Sequence, residues 1–479
     1  MKKISIIIIS NFFFLLNSFG QNKAIAFKSS DTAMQNAFNE AKAMALHYKG
    51  KPGDPVGPWY EAALPGRDAF CMRDISHQCI GAEILGLSKE NKNMFTLFAK
   101  NISKSKDWCS YWEINKYGKP APVDYKNDKE FWYNLNANFD LLYACLRLYL
   151  WTGDKTYINS PVFKNFYEKS TNEYIDKWVL HADSLLLRPA HPNALEPFNF
   201  EKFDKYRRGL ESYYEDITNL KMGIDLVAAI YRGLMSYSHI LKLNGDTEKA
   251  EYYEKKAQPY QQKIEQDWWD NTDSLYKSYY TWDGKFGKGN AEVFLLWFDA
   301  LKDSMRTRKT IENLISEDSK IERESYLPVI LYKYGFWKQA YDHTIHLASP
   351  TTKRREYPEA SYAAIEGIVQ GLMGIEPDAE NNRVTTFYRS QNGKISELDN
   401  LPVLNTFISI KHESKKTYFY NEGKLPVNWR AVFAGKYEFI IVNDKKNLAK
   451  TMKDKSGNLV SYIDTMVGAG KKMNAFCRN

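Results

Sequence analysis

The sequence predicts a mainly α-helical protein, in which a barrel of six helical hairpins precedes a small C-terminal antiparallel β domain. Apolar residues recur at helical spacing over residues 31–375. Glycines interrupt this pattern at regular turns, and β-rich runs separated by Gly, Asn and Lys begin near residue 382. These three observations predict the fold class.

The N-terminal segment has the pattern of a secretory signal peptide. Residues 1–20 contain two lysines, a short apolar run and a small-residue end before Gln21. We therefore expect a signal peptide over 1–20, a barrel over 21–380 and a β domain over 381–479. The mature protein is expected to be periplasmic or secreted, with no membrane anchor after cleavage.

The helical region divides into about twelve helices joined by alternating short and long connections. Tight turns occur at Gly86, Gly153, Gly245 and Gly335, where a left-handed residue can end a helix. Long connections precede the even-numbered helices, so they are expected to meet at one rim of the barrel. The predicted helices are 32–47, 72–86, 90–103, 134–152, 161–181, 220–243, 246–270, 289–302, 306–316, 323–334, 336–348 and 358–374.

The C-terminal tail contains β-rich runs at 405–411, 427–433, 437–442 and 460–463. It lacks a convincing cluster of catalytic groups. We expect it to be structural, with sugar binding as the alternative.

The composition argues against several classes of function. The chain carries a net charge of +8, or +6 without the two lysines of residues 1–20, and its charges are mixed in sign, which disfavours nucleic-acid binding. Metal-binding, nucleotide-binding and serine-hydrolase motifs are absent from the sequence, so we expect neither metal nor cofactor. Five cysteines are too few for a disulfide-framed fold. Aromatic residues make up 15% of the chain and suit both sugar binding and a large core.

The first long loop leads into the second predicted helix and supplies Arg73, Asp74 and His77. An arginine beside a carboxylate can bind adjacent hydroxyl groups of a sugar, although the same pair also fits a helix cap. His77 lies about one helical turn after Asp74 and is expected on the same face.

The second loop is the richest in aromatic and polar residues. Asn134 and Asn138 are spaced four residues apart, so they are expected to share a helical face and contact substrate hydroxyls. Part of this set is expected simply to bury the loop. The candidates from this loop are Trp108, Trp112, Asp124, Trp132, Tyr133, Asn134 and Asn138.

Three later loops supply the remaining candidates. Cleavage of a glycosidic bond needs one protonated acid and one ionised carboxylate on opposite sides of the sugar, so carboxylates from different loops of one rim are of interest. These loops contribute Tyr214, Glu215, Trp282, Arg355, Tyr357 and Glu359.

The chain resembles the six-hairpin glycosidase superfamily, whose members are (α/α)6 toroids with an attached β domain. The resemblance rests on the segment 70–78 around Arg73-Asp74, on 131–134, on Tyr357-Pro358-Glu359, and on the Gly-Leu-Met-Gly-Ile run at 371–375. It implies that Arg73 and Asp74 hold the sugar in the innermost subsite. It also implies Glu215 or Asp124 as the acid and Glu359 as the base. The usual Trp before Arg-Asp is Met72 here.

The resemblance implies a glycoside hydrolase that acts on an oligo- or polysaccharide. Two alternatives remain open. One is a polysaccharide lyase or uronate-specific enzyme, with Arg73 or Arg355 neutralising a uronate and Tyr133 or His77 moving the proton. The other is a carbohydrate-binding protein without catalysis.

Overall fold

The computed structural model describes residues 24–189, 205–213, 215, 217–317, 320–390 and 393–478. Helices make up 41% of the structure and strands 24%. The prediction of a mainly α protein is therefore not confirmed, and the fold is mixed. The physical reason is that the long loops pair into short strands, while the C-terminal region forms two large sheets. The expected signal peptide at 1–20 lies outside the described residues.

Fifteen α-helices follow in chain order. They are α1 Thr32–His47, α2 Met72–Ile84, α3 Ser88–Lys100, α4 Ala137–Thr152, α5 Thr156–Asn159, α6 Pro161–Thr171, α7 Glu173–Trp178, α8 Ile224–Leu243, α9 Thr247–Asp267, α10 Val293–Trp297, α11 Ser304–Ser316, α12 Ile321–Glu324, α13 Leu327–Lys333, α14 Trp337–Ala348 and α15 Pro358–Glu366.

Six of these helices form a closed inner ring. Helices α2, α4, α8, α10, α13 and α15 each pack on the next in this order, and α15 packs back on α2. Helices α1, α3, α6, α9, α11 and α14 lie outside the ring and return the chain between its members. All inner helices therefore run in the same direction, and their N-termini meet at one rim.

Several helices begin or end away from their predicted limits. The predicted helix 134–152 begins at Ala137, because residues 133–134 pair with another loop as a strand. The predicted helix 323–334 is split into α12 and α13, and Pro328 lies at the start of the second piece. The last inner helix ends at Glu366 and continues as a π-helical segment, Gly367–Leu372.

The structure contains 23 strands in the described residues. They are β1 Ala26–Ser29, β2 Ala69–Cys71, β3 Glu113–Asn115, β4 Tyr125–Asn127, β5 Glu130–Phe131, β6 Tyr133–Asn134, β7 Arg208–Leu210, β8 Leu220–Gly223, β9 Trp269–Asp270, β10 Leu275–Tyr276, β11 Tyr279–Thr281, β12 Phe286–Gly287, β13 Glu376–Asp378, β14 Arg383–Phe387, β15 Ile395–Val403, β16 Thr406–Glu413, β17 Lys416–Asn421, β18 Val427–Ala434, β19 Phe439–Val442, β20 Lys445–Leu448, β21 Lys450–Lys453, β22 Leu459–Val467 and β23 Lys472–Cys477.

The C-terminal strands form two sheets. One has the order β1-β15-β16-β17-β23-β19-β20 and is antiparallel, and it includes a strand from the opposite end of the chain. The other has the order β13-β14-β18-β22-β21, with one parallel pair, β14 and β18. Their buried faces meet where the Phe419 and Trp429 rings lie 5.3 Å apart.

The sheets pack against the end of the barrel where the inner helices finish. The Trp151 indole N–H, at the end of α4, donates to the Pro402 carbonyl at 3.0 Å, and the Leu404 amide donates to the Trp151 carbonyl at 2.9 Å. The opposite rim, where the inner helices begin, is therefore left to the long loops.

All five cysteines are buried thiols without disulfide partners. Within the described ranges, every helix is too short or too polar to cross a bilayer.

The ring requires close backbone approach between α2 and α15. A Cβ atom on Gly81 would lie 2.5 Å from the Tyr362 carbonyl oxygen. We expect Gly81→Ala to lower the free energy of unfolding by about 1–3 kcal/mol, because the two helices must separate to admit the methyl group. Urea denaturation measures this loss. The control is Gly289→Ala, where the nearest atom to the added Cβ is 3.5 Å away. Equal stability of the two variants would contradict the packing described.

Candidate active site

The rim formed by the N-termini of the inner helices carries a cleft with two connected parts. The inner part has a volume of about 270 Å³ and the outer part about 540 Å³. Both parts are lined by the same five charged side chains, which makes them one continuous site. The shared residues are Arg73, Asp74, Glu215, Glu322 and Glu359.

Helix starts position these groups. Arg73 and Asp74 lie in the first turn of α2, and Glu359 lies in the first turn of α15. These two helices pack directly on each other in the ring. The unpaired backbone N–H groups of helix N-termini favour negatively charged or oxygen-rich groups, so the rim suits both carboxylates and sugar hydroxyls.

Arg73 is the central cation of the cleft. Its Nε donates to Asp74 Oδ1 at 3.2 Å, and its guanidinium lies 5.0 Å from the centre of the Tyr213 ring and 5.9 Å from that of Trp112. Burial disfavours the charge, but the neighbouring acids, among them Asp74, Glu215 and Glu359, hold the pKa of Arg73 above its usual value. Arg73 therefore stays charged and fixed between two aromatic rings.

Glu359 is buried beside this ion pair. Burial, followed by the nearby charge of Asp74, raises the pKa of Glu359 to about 8. Burial also raises the pKa of Asp74, although Arg73 opposes that rise. At neutral pH, Glu359 consequently holds a proton while it lines a cleft open to substrate.

His77 forms part of the inner wall. Its Nε2 is 2.9 Å from the Ser325 hydroxyl, and its ring stacks on Tyr326 with the centroids 3.8 Å apart. Burial, together with the charges of Arg147 and Arg73, lowers the pKa of His77 well below its usual range. His77 is therefore a neutral, packed side chain and an unsuitable cation for binding a negatively charged group.

A second group of charges lies beside the outer part of the cleft. Arg67 Nη1 donates to Glu113 Oε2 at 2.8 Å and lies 3.4 Å from Asp124 Oδ2. Burial, and then the neighbouring Asp124, raises the pKa of Glu113 to about 8. Two carboxyls and one guanidinium thus share their charges, so Asp124 is occupied by protein partners.

The structure brings many of the residues predicted from sequence to this cleft. They come from four loops that are distant in the chain. The predicted residues that line it are Arg73, Asp74, His77, Trp112, Asp124, Trp132, Glu215, Tyr357 and Glu359.

Three predicted binding residues of the second loop instead join loops to each other. The Tyr133 hydroxyl donates to Asn138 Oδ1 at 2.5 Å. Asn134 Nδ2 donates to the Ser212 carbonyl at 2.8 Å, and Asn138 Nδ2 donates to the Trp108 carbonyl at 3.1 Å. The expectation that Asn134 and Asn138 share a helical face is wrong, because Asn134 belongs to strand β6.

Three further candidates lie away from the residues that line the cleft. Trp108 packs under the Lys169 ammonium, 5.1 Å from its ring centre, and Trp282 packs under Lys221 at 4.7 Å. Arg355 is buried and donates to the Ser361 hydroxyl at 2.8 Å. Tyr214 lies outside the described residues. The roles of all predicted site residues stay predictions.

Several residues that line the cleft were missed by sequence reasoning. Glu322, Arg323 and Tyr326 come from one short segment around α12, where the charged run 322–324 just before an inner helix was the available signal. Glu322 pairs with Arg354 at 2.6 Å, and Arg354 also bonds to the Tyr357 hydroxyl. Arg67 and Lys320 were also missed.

Within the residues that the structure describes, clusters of three or more His, Cys, Asp or Glu side chains suitable for a metal ion are absent.

No family model matches the sequence, and no curated protein matches it. Solved structures do match in fold. The GH78 family rhamnosidase of Bacillus sp. GL1 has a TM-score of 0.59 at 12% identity, and the match covers 83% of this chain and 40% of that one. The α-L-rhamnosidase of Dictyoglumus thermophilum has a TM-score of 0.58 at 13% identity, covering 95% and 51%. A putative kojibiose phosphorylase from the human microbiome has a TM-score of 0.55 at 11% identity, covering 94% and 68%.

These structures belong to the six-hairpin glycosidase superfamily, and this chain has their fold. Glycosidases with this fold have an (α/α)6 barrel, as expected from the sequence. The chain spans about half or less of the length of the three rhamnosidases of Bacillus, Dictyoglumus and Streptomyces avermitilis.

The proton on Glu113 makes a prediction about stability. The folded state holds this proton up to about pH 8, whereas an unfolded glutamate loses it near pH 4.3. The contribution of Glu113 is therefore greatest at low pH and falls as the pH rises from about 4 to 8. We expect Glu113→Gln to reduce this decline, as measured by urea unfolding at pH 5, 6.5 and 8. The exposed-site control Glu251→Gln should leave the decline intact, and an unchanged slope in Glu113→Gln would contradict the assignment.

Proposed function

We propose that this protein is a glycoside hydrolase whose reaction is carried out by Glu359 and Glu215. The observation that carries the proposal is the protonated, buried carboxyl of Glu359 in a cleft that it shares with a second carboxylate and a fixed Arg-Asp pair. The fold shared with rhamnosidases supports it. The cleft is also bordered by Trp112, Trp132 and Tyr357, whose rings can pack on the apolar faces of sugars.

In this proposal, Glu359 donates its proton to the leaving oxygen as the glycosidic bond breaks. Glu215 provides the ionised carboxylate that glycosidic cleavage also requires, near the positive charge of Arg73. This assignment reverses the expectation that Glu359 is the base. The reason is local: an acid in a buried site beside another carboxyl retains its proton. Arg73 and Asp74 orient the sugar hydroxyls at the centre of the cleft.

Asp124 is a weaker candidate for the acid than Glu359. It lines the outer part of the cleft, and its carboxyl faces Arg67 and Glu113. We assign it to shaping the cleft wall.

The lyase alternative lacks support from the groups expected to move the proton. The Tyr133 side chain is fully buried, and its hydroxyl donates to Asn138. His77 is held against Ser325 and Tyr326. Arg355, expected to neutralise a uronate, bonds to Ser361 and is also buried. A hydrolase therefore fits the described geometry better than a lyase.

The first substrates to test are aryl α-L-rhamnosides, because several structures with this fold are rhamnosidases. A panel of other aryl glycosides and of oligosaccharides extends the search. Release of an unsaturated, ultraviolet-absorbing product would identify a lyase and contradict the proposal.

Substitution separates catalysis from binding. We expect Glu359→Gln and Glu215→Gln each to lower kcat by about 10²- to 10⁴-fold, because each removes a group that moves protons or charge in the transition state. Calorimetric titration with an oligosaccharide substrate should show binding within a few-fold of the unsubstituted protein. The control Glu251→Gln should retain full turnover. Unchanged turnover in both cleft variants would exclude these carboxylates, and normal binding without any turnover in the unsubstituted protein would favour a carbohydrate-binding protein.

The pH profile tests the direction of proton transfer. If Glu359 is the proton donor, kcat/KM should fall as the pH rises through about 8, where the donor loses its proton. Asp74→Asn should shift this fall to lower pH, because it removes a negative charge that raises the pKa of Glu359. The position of the fall is compared, since Asp74→Asn also perturbs Arg73. A rise in kcat/KM through pH 8 would instead make Glu359 the base.

A further inference from the structure

The positive charge of this protein is concentrated in its C-terminal strands. Residues 393–478 contain 15 Lys or Arg and 8 Asp or Glu, an excess of seven positive charges, whereas the whole chain has an excess of eight. Residues 1–392 therefore carry only one net charge. A basic region attached to a nearly neutral barrel indicates attraction to a polyanion at that end of the molecule.

Part of this charge lies on the outer face of the seven-stranded sheet. Alternate residues of β17 and β23 are buried, such as Phe419 and Ala475, so the residues between them face outward. We call the outward set the lysine–aromatic face. It consists of Lys416, Tyr418, Tyr420, Phe439, Lys446, Lys472 and Phe476.

Each lysine of this face lies over an aromatic ring. Lys416 Nζ is 4.6 Å from the Tyr418 ring centre and 5.3 Å from that of Phe476. Lys472 lies 5.0 Å from the Tyr420 ring, and Lys446 lies 3.6 Å from the Phe439 ring. Among the described residues, these three lysines have no carboxylate within salt-bridge distance, in contrast to Lys411, which pairs with Glu413 at 2.5 Å.

Strand register fixes the spacing of the charges. Lys416 is opposite Phe476, Phe476 is opposite Ile441, and Ile441 is opposite Lys446. Three strand spacings therefore separate Lys416 from Lys446, a distance of about 14 Å. Such separation is too large for the cations to bind one small anion together. It suits a polymer with repeated negative groups.

We propose that the lysine–aromatic face binds an anionic polysaccharide. The aromatic rings pack against sugar rings, and the unpaired lysines attract carboxylate or sulfate groups along the polymer. The choice of polysaccharide over other polyanions rests on the proposed function. Because the sheets pack at the end of the barrel opposite the cleft, the face would tether the enzyme to its substrate and leave the cleft free.

Affinity electrophoresis of the full chain tests this proposal. The gels contain polygalacturonate, a sulfated galactan, neutral pullulan, or double-stranded DNA. We expect retardation by at least one of the two anionic polysaccharides, less at high salt, and none by pullulan. The triple variant Lys416→Gln/Lys446→Gln/Lys472→Gln should weaken this binding at least ten-fold. The matched control is Lys100→Gln/Lys164→Gln/Lys255→Gln, which removes three exposed barrel lysines and should bind normally.

A second variant distinguishes sugar contact from charge alone. Tyr418→Ala/Tyr420→Ala should weaken polysaccharide binding by several-fold and leave the net charge unchanged. Retained binding in both face variants would overturn the proposal, as would DNA binding without polysaccharide binding. Glu359→Gln should bind the polymer normally, and the lysine variant should hydrolyse small aryl glycosides normally, so that a failure of tethering is distinguishable from a failure of the proposed catalysis.

Discussion

The closed ring of parallel inner helices is the constraint on which the rest of this structure depends. Each inner helix is returned by an outer helix, so every inner N-terminus reaches the same rim. That rim gathers Arg73, Glu215, Glu322 and Glu359, although nearly 290 residues separate the first from the last. The other end of the ring is covered by the sheets, and a division of labour between the two ends follows.

Electrostatics at the rim depend on this convergence. A single carboxyl at a helix start would be solvated and ionised, but here several acids surround one guanidinium inside a partly closed cleft. Burial and mutual repulsion raise the pKa of Glu359 and of Asp74, while the same acids keep Arg73 charged. The cleft can therefore hold a proton donor and a carboxylate together at neutral pH.

Sequence reasoning was most successful where a pattern was local. Helix α1 has its predicted limits, and the others differ by amounts that follow from unrecognised loop structure. Asn134 illustrates the limit, because its spacing from Asn138 suggested one helical face, whereas pairing of β6 with the distant β7 removed it from the helix. Aromatic residues were equally ambiguous: Trp112 and Trp132 border the cleft, but Trp108 packs under a lysine elsewhere.

The sequence by itself determined the order of the helices, the direction of the hairpins, the presence of C-terminal strands and the loops that reach the working rim, because these follow from local periodicity and turn residues. Tertiary structure alone decided which side chains meet, that Tyr133 and Asn138 bond to each other, and that Glu359 retains a proton. These properties depend on burial and on charges contributed by distant segments. The lysine–aromatic face also needed the structure, since strand register aligns residues that are 60 positions apart.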